Sequence, residues 1–234
     1  MKLLALDTAT DLCSAALWLD GSLQWREALR PRGQGQLILP MIDELLAQAG
    51  MGLQQLDAIA FGRGPGAFTG VRLALSVAQG LAFSADLPLL AVSDLRAVAA
   101  QALNGKAAPD RVVICQDARM NEVYWACFQR SVRIADLIGI ESVGAPGSVT
   151  LPEDWIGIPV CGAGSGFGAY RAALSAITAQ LSGSDEALAP RAREIAQLAA
   201  ADGLSQAVAA EQAQPVYLRD EVAKVSIASS SSRN

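Results

Sequence analysis

The sequence predicts an α/β protein of two tandem lobes with the second lobe shortened, and three observations predict it. Short apolar runs of strand length alternate with segments whose apolar residues recur at helical spacing. The strand–turn–strand pattern that opens the chain restarts near Arg111. A strand running into a glycine-rich loop also occurs twice, over residues 61–66 and 161–166.

Residues 3–6 are a short apolar run, read as a buried strand. The polar stretch Asp7-Thr8-Ala9-Thr10-Asp11 turns the chain into a second strand over 13–19. Asp20-Gly21 is a hairpin signal, and a third strand runs through Trp25 to Leu29. Between Gln36 and Ala49 the residues Ile38, Ile42, Leu45, Leu46 and Ala49 share one helical face. Pro40 fits the first turn and Gly50 stops the helix. Residues 58–61 form a buried strand, 71–85 a second helix and 88–92 another strand, after which Ser93 caps a third helix ending near Asn104-Gly105. The second lobe begins with a strand over 111–116, a turn over 117–121 and a strand over 122–128. With a constant offset Asp7 falls on Asp117, Cys13 on Val123 and Trp18 on Phe128, which reads as a structural duplication. Residues 139–155 are rich in Gly, Pro and Val without helical period, and helices are expected over 170–181 and 192–203. The expected division is a lobe over 1–105, a lobe over 106–225 and a disordered Ser-rich tail over 226–234. Two βββαβα-like lobes in tandem describe the actin-like ATPase (ASKHA, ribonuclease H-like) architecture, in which nucleotide sits between the lobes and the first turn of each lobe faces its phosphates.

Composition narrows the chemistry. The chain of 234 residues has no histidine, so it lacks the commonest general base near neutral pH and any imidazole metal ligand. Its net charge is −5 and lysine occurs only at positions 2, 106 and 224, so no basic stripe is available to hold RNA tightly. Cys13, Cys115, Cys127 and Cys161 are scattered among apolar residues with no C-x-x-C pair, which reads as buried thiols in a reducing compartment. Asp7 and Asp11 interrupt the apolar start, so no signal peptide is expected, and no stretch is long and apolar enough to span a bilayer. A cytoplasmic protein is the expectation.

Four segments carry candidate chemistry. Asp7-Thr8-Ala9-Thr10 resembles a phosphate-facing turn but lacks the glycine that lets backbone amides approach phosphate; an ordinary turn held by side-chain-to-backbone bonds is the alternative. The loop Gly62-Arg63-Gly64-Pro65-Gly66-Ala67-Phe68-Thr69-Gly70-Val71-Arg72 follows a strand and opens a helix, with Thr69 as its expected N-cap. It is no Walker loop, because Val71-Arg72 stands where Lys and Ser/Thr are needed. Gly164-Ser165-Gly166-Phe167-Gly168-Ala169 fits a loose G-x-G-x-x-A pattern but opens no N-terminal βαβ unit, so it reads as a flexible turn or a degenerate cleft loop. In the second helix Ala74, Ala78, Ala82 and Ala85 recur beside Val71, Leu75 and Leu81, either to pack on the lobe's own sheet or to let a partner helix approach.

Ala5-Leu6-Asp7-Thr8-Ala9-Thr10, residues 62–72, Asp117-Ala118-Arg119-Met120-Asn121-Glu122-Val123-Tyr124 and Pro215-Val216-Tyr217-Leu218-Arg219 together resemble the bacterial TsaB (YeaZ) family over nearly the whole chain. The resemblance implies an actin-like relative of the metal-dependent catalytic subunit TsaD. It implies a role in forming N6-threonylcarbamoyladenosine at position 37 of tRNAs that read ANN codons. In that role the chain is a non-catalytic partner that forms a heterodimer with TsaD, is joined by TsaE, forms homodimers when alone and meets tRNA only through the complex. No cofactor of its own and no metal are implied, while ATP or ADP belongs to the assembled complex. Where TsaD carries two histidines four apart, this chain has Asp94 and Val98. The implied partner interface lies on the first two helices: Ile38, Ile42, Leu45, Phe68, Val71, Arg72, Leu75, Ala78, Leu81 and Ala82. The implied degenerate nucleotide cleft draws on Asp7, Thr8, Thr10, Gly64, Gly66, Asp117, Gly162 and Gly164. One departure stands out: Gln34 occupies a loop position where many relatives carry histidine. Two other readings are a stand-alone actin-like ATPase or kinase, disfavoured by the missing turn glycine, and a metallopeptidase, disfavoured by the absence of H-E-x-x-H.

Overall fold

The structure, a computed structural model, describes residues 1–30, 33–104 and 108–219. The tail expected over 226–234 lies outside the described residues. The first sheet contains β1 (Lys2–Asp7), β2 (Leu12–Leu19), β3 (Ser22–Leu29), β4 (Ala58–Gly62) and β5 (Leu89–Val92), in the order β3-β2-β1-β4-β5. β1, β2 and β3 pair antiparallel, while β4 and β5 add in parallel. The second sheet contains β6 (Arg111–Arg119), β7 (Glu122–Ser131), β8 (Ile134–Gly144), β9 (Cys161–Ala163) and β10 (Gly183–Asp185), in the order β8-β7-β6-β9-β10. Each pairing repeats the sense of its counterpart in the first sheet. The fold is α/β and actin-like, built from two copies of one sheet topology.

The copies differ in their helices. In chain order the first lobe supplies α1 (Ile38–Ala49), α2 (Phe68–Ala85) and α3 (Asp94–Leu103), whereas the second supplies the single turns α4 (Gly166–Ala169) and α5 (Ser175–Thr178) before α6 (Ala192–Asp202). Shortening of the second lobe therefore falls on its helices. The helix expected over 170–181 is broken: the backbone leaves helical geometry at Tyr170 (φ −126°), and Phe167, Leu174 and Ile177 pack separately under the sheet. The third strand that a βββαβα-like second lobe requires has no range in the sequence; it is β8, where a bulge over residues 139–141, including Gly139 (φ 81°), breaks the two-residue alternation that marks a strand. The constant offset between hairpins also slips. Asp7 pairs with Ser14 and Asp117 with Val123, so Ser14 is the counterpart of Val123, because the second hairpin is one residue shorter and bulged at Ala118.

Alternation along the strands explains the layers. Leu4, Leu6, Cys13, Ala15 and Leu17 face α1 and α2, while Leu3, Ala5 and Ala16 face α6 and the Ala97–Ala100 side of α3. The opposite side of α3, through Leu95, Val98, Ala99 and Leu103, packs on Val112, Ile114, Ala126 and Phe128 of the second sheet. Thus α3 and α6 are buried between the sheets, and each fully buried Leu, Ile or Phe there contributes about 2 kcal/mol of transfer free energy. Arg96 ties this middle layer together: it pairs with Asp202 of α6 and donates to the carbonyls of Arg133 and Ala135 at 2.9 and 2.6 Å.

Candidate functional site: an interlobe cleft and an outer helix face

The two lobes enclose a cavity of about 550 Å³ between the β1–β2 turn, the glycine loop and the β6–β7 turn. Its walls include Thr10, Leu12, Gly66, Val71, Asp117 and Tyr217. Most of the groups that could meet phosphate are used within the protein. The Asp7 carboxylate accepts from Ala9 N at 3.0 Å, Thr8 Oγ1 donates to the Gly70 carbonyl at 2.7 Å and Thr10 Oγ1 accepts from Leu12 N. Ala67 N donates to the Ala9 carbonyl at 2.8 Å, closing the turn onto the glycine loop. Gly70 is glycine because the Thr8 carbonyl lies where a β-carbon would go. Across the cleft, Asp117 accepts from Tyr170 OH and from Arg119 N, both at 2.8 Å, and pairs with the Arg119 guanidinium at 3.1 Å. Gln116 and Ser165 satisfy each other at 2.7 Å.

The segment 215–219 bridges the lobes. Val216 N donates to the Arg63 carbonyl, Tyr217 lies 5.5 Å from the Phe68 ring, and Arg72 stacks 3.7 Å over Phe68 while donating to Tyr217 OH at 2.7 Å. Arg219 then pairs with Glu122 on the second lobe. A second clamp is Glu141, carried inward by the β8 bulge, which pairs with Arg63 at 3.0 Å and accepts from Ser93 Oγ.

The cleft residues named from sequence divide. Thr10, Gly66 and Asp117 line the cavity, whereas Asp7 and Thr8 are fully buried behind it. Gly64 exchanges two hydrogen bonds with Asp94, and Gly162 and Gly164 pack against Phe167 and the Cys115 carbonyl, away from the lining. Gln34 donates to the Thr10 carbonyl, anchoring the loop before α1 to the turn. Ser93 caps α3 as expected, accepting from Arg96 N. Thr69 caps nothing: α2 begins one residue earlier, Ala67 is its N-cap and the Ala67 carbonyl receives Val71 N.

The partner-interface residues need a larger correction. Ile38, Ile42, Leu45, Val71, Leu75, Ala78 and Ala82 are buried in the first lobe, and the alanines let α2 lie close on its own sheet. Phe68 and Arg72 are exposed and Leu81 is half-buried. The opposite face of α2 is open instead: Thr69, Arg72, Ser76, Gly80 and Phe83 follow at helical spacing, with Leu73 and Val77 beside them and Leu39 exposed on α1. Phe83 is 84% exposed. The sequence shows that α2 is apolar on more than one face, which leaves one face free for a partner, but it does not single out Leu39, Leu73 and Phe83 as the residues of that face. Among the described residues no cluster of three or more His, Cys, Asp or Glu side chains could hold a metal, and no helix is long and apolar enough to cross a membrane.

Comparison with known proteins decides the family. A family model described as "TsaD: tRNA N6-adenosine threonylcarbamoyltransferase" matches residues 32–227. The tRNA threonylcarbamoyladenosine biosynthesis protein TsaB of Escherichia coli is 39% identical over 95% of this chain and 96% of its own length. Its namesake in Haemophilus influenzae is 42% identical over 95% of each chain. The chain belongs to the TsaB family. Its solved relatives agree: YeaZ from Pseudomonas aeruginosa superposes with a TM-score of 0.83 at 43% identity, over 93% of this chain and 99% of that one. A second structure from that organism, described as an uncharacterized protein with similarity to peptidase YEAZ, reaches 0.87 at 45% identity with the same coverage.

Proposed function

We propose that this chain serves tRNA threonylcarbamoyladenosine biosynthesis, the process for which its TsaB relatives are named, as a partner subunit without catalytic side chains of its own. It docks TsaD through the open face of α2 and the adjoining Leu39 of α1, TsaE joins the pair, and the same face forms a homodimer when TsaD is absent. Contact with tRNA comes through the assembled complex, and ATP or ADP joins there as well. The observation that carries this reading is likeness to TsaB over 95% of the chain. The open face of α2 supports it, because Leu73, Gly80 and Phe83 offer apolar area and a shallow spot for a neighbouring helix. The stand-alone ATPase reading loses support from the burial of Asp7 and the internal use of Thr8 and Thr10.

Reconstitution tests the proposal. The purified chain is expected to be inert with tRNA, ATP and the threonylcarbamoyl donor, and to restore modification when TsaD and TsaE are added. Modification by the chain alone, or full modification by TsaD and TsaE without it, would overturn the proposal.

A further inference from the structure

Two buried acids meet at the cleft, Asp94 in its wall and Asp7 behind it. Asp7, at the end of β1, is 0% exposed and Asp94, at the start of α3, is 1% exposed. Each spends one oxygen on a backbone amide: Asp7 Oδ1 accepts from Ala9 N at 3.0 Å and Asp94 Oδ2 from Gly64 N at 2.5 Å. Their remaining oxygens, Asp7 Oδ2 and Asp94 Oδ1, receive no N–H or O–H from another group. Both carboxyl groups crowd onto Gly62: a β-carbon there would sit 2.5 Å from Asp7 Oδ1 and would also strike Asp94 Oδ1. Two carboxylates cannot both stay ionised at such proximity in a dry site without a cation. Arg63, the base on the neighbouring loop, is committed to Glu141.

We propose that Asp7 and Asp94 hold a single proton between them, Asp94 donating it to Asp7, and that this proton latches the glycine loop to the β1–β2 turn. When it leaves, the Asp94 O–H bond breaks and the proton passes to water through the cavity wall, of which Asp94 forms a part. Two facing charges then remain, and the turn that holds Ala9 N is repelled from the helix start that holds Gly64 N. Burial pushes Asp7 up to about 6, and burial reinforced by the Asp7 charge holds Asp94 well above the usual carboxylate range.

The surrounding groups leave this proton as the titrating element. Cys13 on β2 has its thiol pushed up to about 11, chiefly by burial, so it stays neutral. Glu141 on β8 adds negative charge that keeps Asp94 protonated, and is itself balanced by Arg63 and the Ser93 hydroxyl. Because both acids titrate higher in the folded than in the unfolded chain, the native state binds the extra proton. The pair's own contribution to stability is therefore fullest below about pH 4, falls as pH rises through about 6, and falls further as Asp94 ionises.

The test is a carbon NMR titration of aspartate carboxyls on the full chain, with hydrogen-exchange protection at Gly64 and Ala9 followed over the same range. One buried carboxyl is expected to remain protonated at neutral pH. Protection at Gly64 is expected to drop at least about tenfold, the equivalent of one pK unit, as that carboxyl ionises. In Asp94→Asn the neutral amide replaces the protonated acid, so the fall in stability with pH should flatten. Both carboxyls fully ionised at neutral pH, or Gly64 protection that ignores the titration, would overturn the proposal. If Asp94→Asn fails to fold, the titration of the unaltered chain decides the matter alone.

Discussion

Asp7 and Asp117 occupy equivalent positions at the ends of β1 and β6, yet one is sealed and the other faces the cleft. In the first lobe, a full-length α2 brings Gly70 down onto the Thr8 carbonyl, so the turn is closed from above and Asp7 is left with Asp94 as its neighbour. In the second lobe the corresponding helices have shrunk to single turns, whose flanking residues Ser165 and Tyr170 bond Asp117, while Arg219 reaches the β6–β7 turn from the C-terminal segment. The same sheet topology thus gives a rigid, helix-covered half and a thinner half. The helix-covered half also carries the open face of α2, the face proposed above to dock TsaD.

Gly70→Ala should break the rigid half most severely. The new methyl has to displace the Thr8 carbonyl, and we expect a loss of about 3 kcal/mol or more in a denaturant melt. Ala78→Leu is next, because Ala78 is fully buried between α2 and its sheet; overpacking there should cost about 2 kcal/mol by the same measurement. Asp117→Ala in the thinner half removes the acceptor of Tyr170 OH at a partly open site, and about 1 kcal/mol is expected. A larger loss for Asp117→Ala than for Gly70→Ala would reverse the ranking of the two lobes. Phe83→Asp should leave stability within about 0.5 kcal/mol, since its ring touches solvent.

Much of this was legible in the sequence. The first lobe announced itself through Asp20-Gly21, Gly50 and Ser93, local signals whose chemistry does not depend on distant contacts. β8 did not, because the bulge at Gly139 that turns Glu141 toward Arg63 also erases the strand's alternation. The helix expected over 170–181 failed because Leu174 and Ile177 are drawn to the sheet one turn at a time. On α2 the alanine row 74-78-82 is visible in the sequence, but a row of small residues serves a sheet as well as a partner helix. Which one it serves depends on the placement of β1 and β4, information that no local pattern holds. Burial of Asp7 likewise follows from the closing of its turn by α2, whose Gly70 comes 62 residues after Thr8.

The most direct measurement is the affinity of TsaD for this chain and for its Gly80→Trp variant. Nothing lies within 4 Å of where a side chain at Gly80 would begin, so the variant should fold and melt as the unaltered chain does. TsaD should bind that variant at least about tenfold more weakly, because the indole would stand in the proposed contact between two helices. Unchanged affinity in a variant that melts normally would contradict the assignment of α2 as the docking helix.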